Sequence, residues 1–281
     1  AMLIRQIFRF SIIFEIAATV LLFFSWGDYE FEQISDKIFF SIFHAISAFN
    51  NAGFTLFPEG LAHPLISQNI SFMTIMAATI VLGGLGFGTI HDLFSYRAVL
   101  MRRKNPWKHL KVNSKISFYS TIVLILVGSL FYGLLENKEI LDGLKIGSQS
   151  FLSFIQITIG RTAGFNIMEI GDLALPTLLV LIILMFIGGA SGSTAGGIKT
   201  STFTLVLMNA ISTIRGRKRV ELFKHTIPVE MLNLALSVFL FTLGGVLLGI
   251  FLLTITDGHL GLIRIVFEQV SAFCTVGLSM G

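Results

Sequence analysis

The sequence predicts an all-α polytopic membrane protein built by repeating one unit: a spanning helix, a shorter pore helix that does not cross, an extended strip, and a second spanning helix. Two observations predict it. The 281 residues are 54% apolar and only 13% charged, with a mean hydropathy of +0.83, which would leave a water-soluble globule with far too much apolar surface. A glycine-centred strip also occurs three times, as NNAGFT at 50–55, GRTAGFN at 160–166 and CTVGLS at 274–279. Their central glycines, Gly53, Gly164 and Gly277, lie 111 and then 113 residues apart, and self-similarity at a fixed period marks a repeat architecture.

Spanning a hydrocarbon core of about 30 Å takes roughly 20 mostly apolar residues. Such stretches lie near 4–25, 70–90, 116–135, 174–210 and 229–254. The apolar segments before the strips, ending in HAISAF, FIQITIG and EQVSAF, are helices of about a dozen residues, too short to cross. The resulting division is a unit over 1–91, a basic connection over 92–115, a unit with a broken second helix over 116–211, a basic connection over 212–228, and a unit over 229–281 that ends after its strip.

Charge sets the orientation. Arg97, Arg102, Arg103, Lys104, Lys108, Lys111 and Lys115 crowd one connection and Arg215, Arg217, Lys218, Arg219 and Lys224 the other, so both are expected on the cytoplasmic side. Connections carrying Asp28, Glu30, Glu32 and Asp36, and Glu136, Glu139 and Asp142, face outside. The pI near 9.3 is thus a topology signal rather than a nucleic-acid signal. One cysteine, Cys274, excludes an intrachain disulfide. The first apolar segment is too long for a cleavable signal peptide, and Ala1 directly before Met2 suggests a processed or trimmed chain.

Non-helical backbone at membrane depth is tolerated only where it is buried in protein or lines a water-filled path. Three matched strips therefore point to a shared axis. Glycine enters backbone conformations that strain other residues, letting successive carbonyls turn inward, and a ring of carbonyls replaces the hydration shell of a cation. The candidate ion-site residues are Asn51, Ala52, Gly53 and Phe54; Thr162, Ala163, Gly164 and Phe165; and Thr275, Val276, Gly277 and Leu278. Plain close packing of small residues is the competing reading.

The strings HAISAFNNAGF, GRTAGFN, GGASGSTAGGIKT and SAFCTVGLSMG resemble the Trk/Ktr family of potassium-uptake membrane subunits over essentially the whole sequence. That resemblance implies a potassium-channel-like plan, with four unequal repeats around a pseudo-fourfold pore. The chain would hold the second and third repeats plus the first helix, pore helix and filter of the fourth. With three strips of four, residues 1–281 alone are expected to give no selective flux. The resemblance further implies potassium as the transported ion, no covalent cofactor, a homodimer in the cell's inner (plasma) membrane, and a cytosolic nucleotide-binding regulatory subunit as partner. A sodium or mixed sodium/potassium transporter of the same superfamily is the alternative.

Within 174–210 the run GGASGSTAGGIKT at 188–200 should break the span. By resemblance it is an intramembrane gate below the filter, made of Gly188, Gly189, Ser191, Gly192, Ser193, Thr194, Gly196, Gly197 and Lys199. A lysine in a permeation path repels potassium; otherwise Lys199 reaches the cytoplasmic interface from a flexible kink. The same run contains Gly189-Ala190-Ser191-Gly192, the GxSG pattern of rhomboid-like intramembrane serine proteases. Ser191 would then need a histidine base, and only His44 of the six histidines falls in an apolar segment. Apart from that alternative, no enzyme chemistry is implied. Gly83 to Gly88 reads as helix packing through Gly84 and Gly88. Glu15, costly at the bilayer centre at about 2.5–3.5 kcal/mol, should face protein. Arg161 is expected on the outer side of its strip, paired with a carboxylate such as Glu268.

Overall fold

Helix α1 (Met2–Phe23) contains neither glycine nor proline and is mostly apolar, so it offers lipid a broad apolar surface, with Arg5 and Arg9 near its start and Glu15 in its interior. This computed structural model describes residues 2–94, 110–136, 146–217 and 219–281. Most of the first basic connection, the segment holding Glu139 and Asp142, and Lys218 lie outside the described residues.

The first unit continues with α2 (Ile34–Phe49), the short α3 (Pro64–Ser67), α4 (Ile70–Gly84) and α5 (Phe87–Phe94). Trp26 fixes the corner between α1 and α2. Its indole donates to Ser41 Oγ at 2.8 Å, and its ring lies 4.8 Å from Phe72 and 5.0 Å from Phe31. Asn69 caps α4 by accepting from the Phe72 N–H at 3.0 Å, which satisfies a donor the helix start would leave orphaned. The same side chain donates to Ser25 O at 2.7 Å, tying both spans of the unit together.

The second unit comprises α6 (Val112–Leu135), α7 (Ile146–Thr162), α8 (Leu175–Phe186) and α9 (Thr200–Ile214), and the third comprises α10 (Val229–Asp257) and α11 (Leu262–Phe273). Among the described residues, three helices are long and apolar enough to cross a membrane: Ile4–Phe23, Val112–Leu135 and Val229–Leu260. Pore helices α2, α7 and α11 run 16, 17 and 12 residues, so the first two exceed the dozen expected. Packing follows a rotation: α4 of the first unit lies on α7 of the second, and α8 of the second lies on α11 of the third.

Two expectations change. The stretch near 70–90 is not one continuous helix, because α4 and α5 meet at a 105° bend. Its cause is Gly86, at φ +78°, a left-handed conformation that glycine enters freely. No close neighbour requires Gly84 or Gly88 to be glycine either: a Cβ on either would meet nothing within 4 Å. That requirement falls on Gly83, pressed so closely on the Phe49 carbonyl that any side chain would collide with backbone. A small departure from the all-α expectation is a hairpin between α9 and α10, β1 (Glu221–Leu222) paired antiparallel with β2 (His225–Thr226). Its turn residues Phe223 and Lys224 both have positive φ, as the right-handed strand twist favours.

Candidate ion path and intramembrane loop

The three strips follow the C-terminal ends of α2, α7 and α11, and they touch in sequence. Each central glycine is left-handed, with φ of +75° at Gly53, +69° at Gly164 and +96° at Gly277. A Cβ on Gly53 would fall on the carbonyl oxygen of Ala163, and a Cβ on Gly164 would fall on that of Val276. Each carbonyl belongs to the residue just before the next unit's glycine. The contact therefore repeats by rotation from the first strip to the second and from the second to the third. A Cβ on Gly277 meets nothing within 4 Å among the described residues.

Side chains fasten the strips from behind. Ser47 donates to Phe54 O at 2.7 Å and Ser271 to Leu278 O at 2.6 Å, in each case from six residues before the glycine to the residue after it. His44 sits behind the first strip, its Nδ1 2.8 Å from Phe40 O and its Nε2 3.2 Å from Thr55 Oγ1. Both ring nitrogens are thereby engaged within the first unit. The third strip is closed by Glu268, whose carboxylate accepts from the Met280 N–H at 2.7 Å and from Ser279 Oγ at 2.9 Å.

Residues 187–199 break the second unit's last span into α8 and α9, and the loop packs against all three units. Ile187 and Ile198 form a parallel bridge at its neck. Lys199 Nζ donates to the Ala195 carbonyl, so the ammonium is turned back onto its own loop. On one side the Ala190 N–H donates to Gly84 O at 2.8 Å and the Phe87 N–H to Gly192 O at 3.1 Å, so the bend between α4 and α5 receives the loop. On the other side Gly196 lies so close to Thr275 Oγ1 and Cys274 O that a Cβ would overlap both. Gly188 likewise abuts the Gly196 carbonyl. Small residues are required because the loop meets backbone, which cannot move aside as a flexible side chain does.

A hydrogen-bonded chain joins strips to loop. Thr162 Oγ1 donates to Asn51 Oδ1 at 2.8 Å, Asn51 Nδ2 donates to Thr194 Oγ1 at 3.0 Å, and Thr194 Oγ1 donates to Phe49 O at 3.1 Å. Asn51 also adopts φ +52°, tolerated by Asn better than by most residues. Sequence reading treats Asn51 only as a carbonyl source and misses this side-chain role. The available signal was a carboxamide among small residues, opposite threonines at the equivalent positions 162 and 275.

Arg161 corrects an expectation. It is 3% exposed and points toward the intramembrane loop, with Nη2 donating to Gly188 O at 2.8 Å and Nε to Ile187 O at 3.3 Å. Glu268 is engaged elsewhere. The physical reason lies in α8: Ile187 is its C-cap, and a helix C-terminus offers unpaired carbonyls with the negative end of the macrodipole. Glu15, half-buried, accepts from Asn50 Nδ2 at 3.0 Å and so does turn toward protein at the end of α2. Ser191 is exposed, and none of the hydrogen bonds among the described residues joins it to a histidine.

A model of a family described as TrkH, cation transport protein, matches residues 1–281. The chain is 36% identical over 291 residues to the Ktr system potassium uptake protein B of Bacillus subtilis, covering 99% of this chain and 60% of the relative. It is 34% identical to the protein of that name from Vibrio alginolyticus, covering 99% and 59%. To the potassium/sodium uptake protein NtpJ of Enterococcus hirae it is 32% identical, covering 99% and 60%. The chain thus spans about 60% of the length of these relatives. A solved structure of the potassium transporter TrkH from Vibrio parahaemolyticus shares the fold with a TM-score of 0.71 at 17% identity, over 90% of this chain and 51% of that one.

Proposed function

Because the chain belongs to the TrkH family of cation transport proteins, we propose that it is the pore-forming part of a potassium-uptake subunit, in which carbonyls of the three strips replace the hydration shell of a permeating cation. The protease alternative is set aside: this is a family of cation transporters, not enzymes. One observation carries the proposal. The backbone succession of Gly53 on Ala163 and Gly164 on Val276 repeats by rotation at the ends of three pore helices, an arrangement that helix packing alone does not require.

The filter set is residues 51–54, 162–165 and 275–278. The gate is the loop from Gly188 to Lys199, supported by its position against the strips and by the obstruction that a cation beneath a cation path creates. Potassium is favoured by the names of the Bacillus and Vibrio relatives. A mixed sodium/potassium reading rests on the name of the Enterococcus relative. Residues 1–91, 116–211 and 229–281 act as the repeating units. The assembly is proposed to be a homodimer in the plasma membrane, with its basic connections facing the cytosol. Exposed Arg215, Arg217 and Arg219 beside the β1–β2 hairpin offer a surface to a cytosolic nucleotide-binding regulator.

The test is ion flux through the full-length protein in liposomes under opposed potassium and sodium gradients. Potassium flux well above sodium flux is expected. Equal fluxes favour the mixed reading, and no cation flux in any gradient overturns the proposal.

A further inference from the structure

Equivalent positions in the three units differ at one hydroxyl. Ser47, Thr158 and Ser271 all stand six residues before a strip glycine. The two serines fasten their strips to the carbonyl after the glycine, whereas the Thr158 hydroxyl is buried and has no partner among the described residues. The cause is the path of the second strip. Helix α7 continues to Thr162, two residues before Gly164, whereas α2 and α11 end four residues before their glycines.

Threonines inside helices commonly return their hydroxyl to the carbonyl four residues earlier, as Thr74, Thr79 and Thr204 do here. Thr158 does not. Across from it on α6, Thr121 is 5% exposed, and its hydroxyl is likewise without a partner among the described residues. The two threonines line one cavity of about 10 Å³, together with Thr162, Arg161 and the apolar side chains of Ile80 and Ile125. That volume is about one water molecule's sphere, and a buried water typically makes about three hydrogen bonds. The partners are present. A guanidinium has five N–H donors, and the carbonyls of Ile187 and Gly188 take two from Arg161.

We propose that this cavity is the seat of one permanently bound water, held by the hydroxyls of Thr121 and Thr158 and by the Arg161 guanidinium. The water takes up the hydroxyl that in the other units is spent on the strip carbonyl after the glycine. It joins α7 to α6 and keeps Arg161 aimed at the carbonyls where the intramembrane loop begins. Its role is the same whichever cation the strips pass.

The test is a structure of the full-length protein at a resolution that shows ordered solvent. One density peak is expected within hydrogen-bond reach of both hydroxyls and the guanidinium. A cavity without density, or threonines rotated onto their own helix carbonyls, overturns the proposal. Thr121→Val and Thr158→Val keep the side-chain shape while removing the polar atoms. A bridge predicts that each lowers the melting temperature and that the double variant falls little below the worse single one, since either substitution already breaks the link. Losses that simply add would mean two independent hydroxyls and overturn it as well. If a variant fails to fold, the density in the unaltered protein still decides.

Discussion

Asn51 is where strip, neighbouring strip and loop meet, so replacing it separates their contributions. Asn51→Gly removes the side chain while leaving φ +52° comfortable, whereas Asn51→Ala removes it and strains the backbone as well. In both, Thr162 Oγ1 loses its acceptor at 2.8 Å and stays buried, at a cost of about 1–3 kcal/mol for an unsatisfied buried hydroxyl. Thr194 loses the 3.0 Å bond from Asn51 but keeps Phe49 O, so that change is limited to about 0.5–1.5 kcal/mol. The glycine variant should therefore be weaker by about 1.5–4.5 kcal/mol, and the alanine variant by about 1–2 kcal/mol more, the penalty of a left-handed conformation. The assay is thermal unfolding of the purified full-length protein, paired with potassium uptake in a transport-deficient bacterium. The expected order of melting temperature is wild type, Asn51→Gly, Asn51→Ala, with potassium preference over sodium reduced in both variants. A glycine variant with unchanged melting and unchanged preference would refute the idea that this side chain links strips to loop.

Gly164→Ser places a side chain on the Val276 carbonyl at φ +69°, so growth on low potassium should weaken and sodium exclusion should fall; unchanged growth and exclusion would count against a carbonyl filter. Deleting Ser191 to Gly196, or Lys199→Gln, should raise flux without altering selectivity, and a joint change in both, read by isotope uptake, would place the loop inside the permeation site. Arg161→Lys leaves one ammonium where a fork served two carbonyls 2.8 and 3.3 Å away. Its expected effect is a protein with raised basal flux and a lower melting temperature, and wild-type values of both would show that the loop needs no such anchor.

The legible parts of this fold were those written as period and interruption. Three glycine-centred strips behind short apolar helices, and a run at 188–200 too rich in glycine and hydroxyls to stay helical, need only residue types and spacing to be seen. The bend between α4 and α5 was hidden because a glycine-rich run within an apolar stretch reads the same whether glycines bring helices together or break one. Only coordinates distinguish Gly83, pressed on Phe49 O, from Gly84 with open space and Gly86 in the left-handed region. The hairpin at 221–226 escaped because its turn uses Phe223 and Lys224 rather than Asn-Gly.

Arg161 shows the deeper limit. A sequence names carboxylates, so a buried cation invites a search among Asp and Glu, whereas its partners here are the main-chain carbonyls of Ile187 and Gly188. Every residue has a carbonyl, so no letter marks these two. The repeats offer a way past that limit, since equivalent positions predict one another. Asn50, Arg161 and Cys274 are equivalent, as are Ser47, Thr158 and Ser271, and at both positions the second unit departs from its neighbours. Its pore helix runs further toward the strip, its hydroxyl is released from the strip, and its cation reaches the loop. Because that loop also belongs to the second unit, the broken symmetry in the sequence and the loop proposed as the gate fall in the same unit.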